Sequence, residues 1–114
     1  MKIHIERCSV ADKDHKHSTR QYAHVGHTPK TICLALAWKH ISIDHQMGVL
    51  AHEVGHLLHG KVEHTEGEAD KEANKFFSIK ILYKDSKYGK RLQYLNLDDT
   101  MNVWEWLNKN VVFM

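Results

Sequence analysis

The pentapeptide His52-Glu53-Val54-Gly55-His56 limits this chain more than any other stretch of it. In a helix, side chains four positions apart stack one turn apart on one face. His52 and His56 are therefore placed to share one metal ion, and zinc is the ion such imidazole pairs hold. Glu53, between them, is then placed to take a proton from a zinc-bound water. The pattern has only three fixed letters and the chain has 11 histidines, so the surroundings must carry the reading. No proline falls between Ser42 and His59, and Ser42 or Asp44 can cap the start. At about 100° per residue, Met47, Leu50, Ala51, Val54, Leu57 and Leu58 gather on one side, with His52 and His56 opposite. A helix packed by its apolar side would present both histidines to a cleft. Satisfied core histidines do not fit that geometry, and ordinary solvated ones give no reason for the placement of Glu53.

The 114 residues, 42% hydrophobic, suit one small domain over the whole of 1–114 with a modest core. A net charge of +2 gives no electrostatic case for nucleic acid. No apolar run is long enough to span a membrane. The opening MKIHIERC alternates and carries charge, so no signal peptide is expected. Cys8 and Cys33 are too few for a disulfide framework and read as reduced, buried thiols of a cytoplasmic protein. There is no repeat and no low-complexity tract.

Residues 2–8 alternate, with Ile3 and Ile5 on one face, and predict a short strand. Residues 9–19 are polar and read as a loop in which His15 and His17 are solvated; residues 20–25 offer a second strand. Gly26-His27-Thr28-Pro29 is turn chemistry. The apolar run Thr31 to Trp38 predicts a buried strand, although its periodicity also allows a helix. The motif helix follows and stops at Gly60. Thr65, with Glu68 three residues on, forms a capping box for a second helix running to about Leu82 or Asp85. Its apolar side holds Ala69, Ala73, Phe76 and Phe77. Lys84–Lys90 reads as a basic loop, and Leu92, Tyr94, Leu95 and Leu97 as a strand or an irregular packed segment. Asp98 or Asp99 caps a last helix through Asn108 that buries Met101, Trp104 and Leu107. The tail Val111–Met114 is expected to be packed.

A catalytic zinc needs a third protein ligand and keeps one position for water. Glu66, Glu68, Asp70 and Glu72 are the acidic candidates on the second helix. LAHEVGHLLHG followed by EADKEANKFFSIKIL resembles the ImmA/IrrE group of gluzincin-type metallopeptidases over about residues 30–82. That group pairs HExxH with a downstream E-x-E-A-N-x-F-A helix whose first acidic residue binds zinc. Laid on this chain, Glu72-Ala73-Asn74 matches E-A-N and Phe76 the phenylalanine, so the ligand position falls on Asp70, where the group has glutamate. A second register exists. Glu66-Gly67-Glu68-Ala69-Asp70 resembles the E-x-E-A-D form of related membrane gluzincins. It makes Glu66 the ligand and Asp70 the partner of a ligand histidine, but it puts Glu72 where a packed phenylalanine belongs. The first register is favoured. Glu68 and Glu72 read as solvated in either, at a helix start that favours acidic residues.

The resemblance implies an α+β, zincin-like fold. It would have a small sheet of about three strands, a motif helix and a ligand-bearing second helix. It further implies a zinc metalloendopeptidase with Glu53 as general base and a protein or peptide substrate, in that group often a transcriptional repressor. The chain is short for the group and looks more like a minimal gluzincin. Tyr22, His24, Tyr83 and Tyr88 are conceivable transition-state donors. Two other readings stand beside it. One is a catalytically silent, zinc-stabilised binding module partnering a regulator, with His59, His64 or a cysteine as fourth ligand. The other is a peptidase held latent by its own C-terminal tail.

Overall fold

The alternation of the first strand is reproduced in the computed structural model, which describes residues 2–7, 22–25, 30–59, 66–85 and 91–113. The expected turns at Gly26–Pro29 and Gly60, the loop around His15 and His17, the capping Thr65, and Cys8, His64 and Tyr88 lie outside the described residues. β1 (Ile3–Arg7) buries Ile3 and Ile5, at 0% and 3% exposure, and leaves His4 and Glu6 half-buried on the other face. It lies between β3 (Thr31–Leu34) and β6 (Val111–Phe113), parallel to both. β2 (Ala23–Val25) adds to β3 antiparallel, so the sheet order is β2-β3-β1-β6. The architecture is α+β with three α-helices among the described residues, as expected. The main sheet has four strands, not about three, and the C-terminal tail supplies the fourth. Val111–Phe113 pairs with β1 from Ile3 to Ile5, which engages the tail in the sheet and not as a cover over the motif helix.

The apolar run after Thr31 divides. β3 ends at Leu34, the last described pair with β1 being Arg7 and Leu34. Beyond it, Ala35 N donates to Tyr22 O at 3.0 Å, and the chain turns into a 3₁₀ helix at Leu36–His40. Gln46 Nε2 donates to Trp38 O at 3.0 Å, and Gln46 N to Ser42 O at 2.8 Å, tying this turn to the start of α1 (Ile43–His59).

α2 (Glu66–Phe77) ends earlier than its pattern suggests. Ser78 takes a left-handed φ of 55°, and Ile79 N donates back to Asn74 O at 3.0 Å. That is the six-to-one closure of a Schellman end, with a serine where glycine is usual. The Asn74 side chain also accepts from Ile81 N at 3.0 Å. Asn74 thus turns the chain out of the helix, and the segment expected to continue it becomes β4 (Leu82–Asp85), paired antiparallel with β5 (Arg91–Tyr94).

α3 (Leu97–Asn110) is capped earlier than expected, ahead of Asp98 and Asp99. Asn96 is the N-cap, its Oδ1 accepting from Asp99 N at 2.8 Å. Its buried stripe is Thr100, Val103 and Leu107, so Met101 and Trp104, expected inside, stand 51% and 46% exposed. Leu107 is buried as expected, while Thr100 and Val103 take the places expected of Met101 and Trp104. Phe76, also expected inside, is 45% exposed and meets Phe77 and Trp106 edge-to-face. Met47, Leu50, Ala51 and Val54 of α1 join Ile3, Ile5 and Ile32 of the sheet and Val103 and Leu107 of α3 in one apolar cluster. No helix among the described residues is long and apolar enough to cross a membrane.

Candidate metal centre

The histidine side of α1 does not face an open cleft. His52 is 3% exposed and Glu53 7%, while His56 is half-buried. The cover is α2, and one missing side chain lets it approach. A Cβ on Gly55 would lie 2.0 Å from the carbonyl oxygen of Ala69. Only glycine admits that contact, and Ala69 and Ala73, both fully buried, keep the facing side of α2 small. The next residue after Ala69 is Asp70, which the contact delivers to His52.

Asp70 is 4% exposed, and its Oδ1 lies 2.6 Å from His52 Nδ1. Its Oδ2 accepts from the hydroxyl of Tyr83 on β4. The other nitrogen of His52, Nε2, lies 3.0 Å from His56 Nε2, with the two rings nearly perpendicular at 87°. A carboxylate on Nδ1 favours the tautomer that carries its proton there and turns the Nε2 lone pair toward His56. Two nitrogens bound to one tetrahedral zinc stand about 3.3 Å apart for bonds of about 2.0–2.1 Å. The observed separation is within a few tenths of that, and the donor chemistry of the pair fits zinc.

The structure brings together four of the residues singled out from the sequence: His52, His56, Asp70 and Tyr83. Glu53 is buried on the same turn of α1. Asp70, favoured from the sequence as the third ligand, meets the Nδ1 edge of His52 and not the Nε2 edge that faces His56. Both of its oxygens have partners there. Among the described residues no group of three His, Cys, Asp or Glu side chains converges on one point. Glu66 opens α2, with its side chain outside the described residues. Glu68 is exposed, as expected, and Glu72 half-buried.

Tyr22 is drawn elsewhere. It meets His45 edge-on with ring centroids 4.8 Å apart, and Tyr94 stacks on the same imidazole at 4.4 Å. His45, 2% exposed, is a buried residue the sequence reading passed over, although it sits two turns before His52 on the same side of α1. Gly48 was also missed. A Cβ there would meet Gln93 O at 2.8 Å, so β5 runs against α1 one turn before His52. His24 lies on β2, opposite Cys33 in register. No protein-family profile, curated protein or solved structure matches the chain.

Proposed function

We propose that the chain is a zinc-dependent metallopeptidase of the HExxH type, acting on a protein or peptide substrate. The observation that carries the reading is the His52 ring. Its Nδ1 is taken by the Asp70 carboxylate while its Nε2 faces Nε2 of His56. Unspecialised surface histidines have no need of either arrangement. The third ligand in this reading is Glu66, in place of Asp70. His52 meets Asp70 and Gly55 meets Ala69, so the two helices run in opposite directions. One turn onward along α1, from His52 to His56, is one turn back along α2, from Asp70 to Glu66. Glu66 comes one turn before Asp70 along α2, which is the spacing the second register requires. Asp70 has the complementary role of holding a ligand imidazole.

Zinc held there would supply an acidified water and polarise the scissile carbonyl. Glu53, on the turn between the histidines and almost wholly buried, takes the proton from the attacking water and returns it to the leaving amine. Its low exposure keeps bulk water from competing for that proton. A repressor is one protein substrate compatible with the resemblance noted above.

The test is metal content and hydrolysis of an unfolded protein. His52→Ala and His56→Ala should lose zinc, and Glu53→Gln should keep it and lose hydrolysis. Glu66→Ala should strip the metal, while Asp70→Ala should weaken it by about 10–100-fold, the usual cost of losing a partner of a ligand histidine. Full zinc in His52→Ala would refute the centre. Metal lost from Asp70→Ala but kept in Glu66→Ala would return the third ligand to Asp70.

A further inference from the structure

We infer that Tyr83 is a positioning residue for this centre: its hydroxyl holds the Asp70 carboxylate in the plane that keeps His52 Nε2 turned toward His56. The inference rests on the zinc reading above and adds a residue to it. Tyr83 is 39% exposed and lies on β4, in a small sheet apart from the main one, so its ring is not needed for the core. Its hydroxyl nevertheless reaches a carboxylate that is 4% exposed.

The route by which it gets there is built into the backbone. β5 lies against α1 at Gly48, where only hydrogen fits beside Gln93 O. Leu95 N donates to Asp44 O at 3.3 Å, fixing the same strand to the first turn of α1. Gln93 is the register partner of Tyr83. Contact one turn before His52 thus sets the height of β5, β5 sets β4, and β4 brings the phenol to Asp70. Gly55 brings Asp70 to the same place from the other side. The two glycines bracket His52, and the elements they admit meet at its Nδ1 edge.

The hydroxyl has a definite task at that point. An aspartate held by one oxygen can still rotate about its last side-chain bond, and the imidazole it holds can tilt with it. With Oδ1 on His52 and Oδ2 on Tyr83, the carboxylate plane is fixed at both ends. A fixed acceptor fixes the ring, and a fixed ring presents Nε2 in one direction without an ordering cost when the ion arrives. The phenol donates its proton to Asp70, so Tyr83 acts on the substrate only through Asp70 and His52. This differs from the transition-state role considered for it from the sequence.

Tyr83→Phe removes the hydroxyl and keeps the ring. Zinc affinity should be measured by competition with a chromophoric chelator, and the visible spectrum recorded with cobalt(II) in place of zinc. The expected result is about a tenfold rise in the zinc dissociation constant, shifted cobalt bands and an unchanged melting temperature of the metal-free protein. In an Asp70→Ala background the same substitution should change affinity no further, because the hydroxyl then has nothing to hold. A dissociation constant within about twofold of wild type with superimposable cobalt spectra would overturn the inference and leave the zinc reading standing. So would a further tenfold loss in the Asp70→Ala background, or a metal-free Tyr83→Phe protein that melts well below wild type. A wild-type chain that takes up neither zinc nor cobalt would overturn both.

Discussion

The two sides of α1 are packed by different means. Toward the sheet and α3, contact is made by side chains: Met47, Leu50, Ala51 and Val54 mesh with Ile3, Ile5, Ile32, Val103 and Leu107. Toward α2 and β5, the buried side chains of Ala73, Phe77 and Leu95 are joined by close backbone contact, at Gly55 against Ala69 and at Gly48 against Gln93. The first kind buries apolar area, contributing about 25 cal/mol per Å² removed from water, and tolerates small readjustments. The second also fixes distances, since a peptide plane cannot move aside as a side chain can. The polar triplet His52, Asp70 and Tyr83 lies on the second side. The triplet thus lies where α1 is also held by close backbone contact.

Gly55→Ala should break the comparison most severely. Its methyl carbon would start 2.0 Å from a backbone oxygen, so α2 must move away. We expect a loss of more than about 3 kcal/mol, beyond ordinary overpacking, and a collapse of zinc affinity in whatever remains folded. Chemical denaturation and metal titration on one preparation check both. A variant that binds zinc like wild type would show that the close approach does not set the site.

Ile32→Ala tests the other side. Ile32 is fully buried in β3, and its truncation should cost about 2–5 kcal/mol. Zinc affinity per folded molecule should stay within about twofold, because the sheet side supplies stability and not site geometry. A parallel loss of affinity would mean that the two sides are not separable. The smallest effect is expected at Met101→Ser on the outer face of α3. Met101 is 51% exposed, and surface changes of this kind stay within about 0.5 kcal/mol. A melting temperature several degrees lower would place Met101 in the core after all.

The sequence by itself determined those features that depend on neighbours along the chain. The helical period over Ile43–His59 put both histidines of the motif one turn apart, and strict alternation placed Ile3 and Ile5 on the buried face of β1. His52, His56 and Asp70 were singled out from local signals, the histidine spacing and the acidic start of α2, whereas Tyr83 stood only among four conceivable donors and nothing local set it apart. The edge of His52 that Asp70 meets was not legible. Two registers of α2 fit the letters, the favoured one making Asp70 a ligand, and only the approach at Gly55 brings Asp70 to Nδ1. The early end of α2 was hidden because a serine, not a glycine, takes the left-handed position. The tail's place was hidden for a different reason. Val111–Phe113 is a strand because β1, at the opposite end of the chain, leaves an edge open beside it. Edge pairing of that kind is decided by which elements meet in space, which the order of residues along either segment does not record.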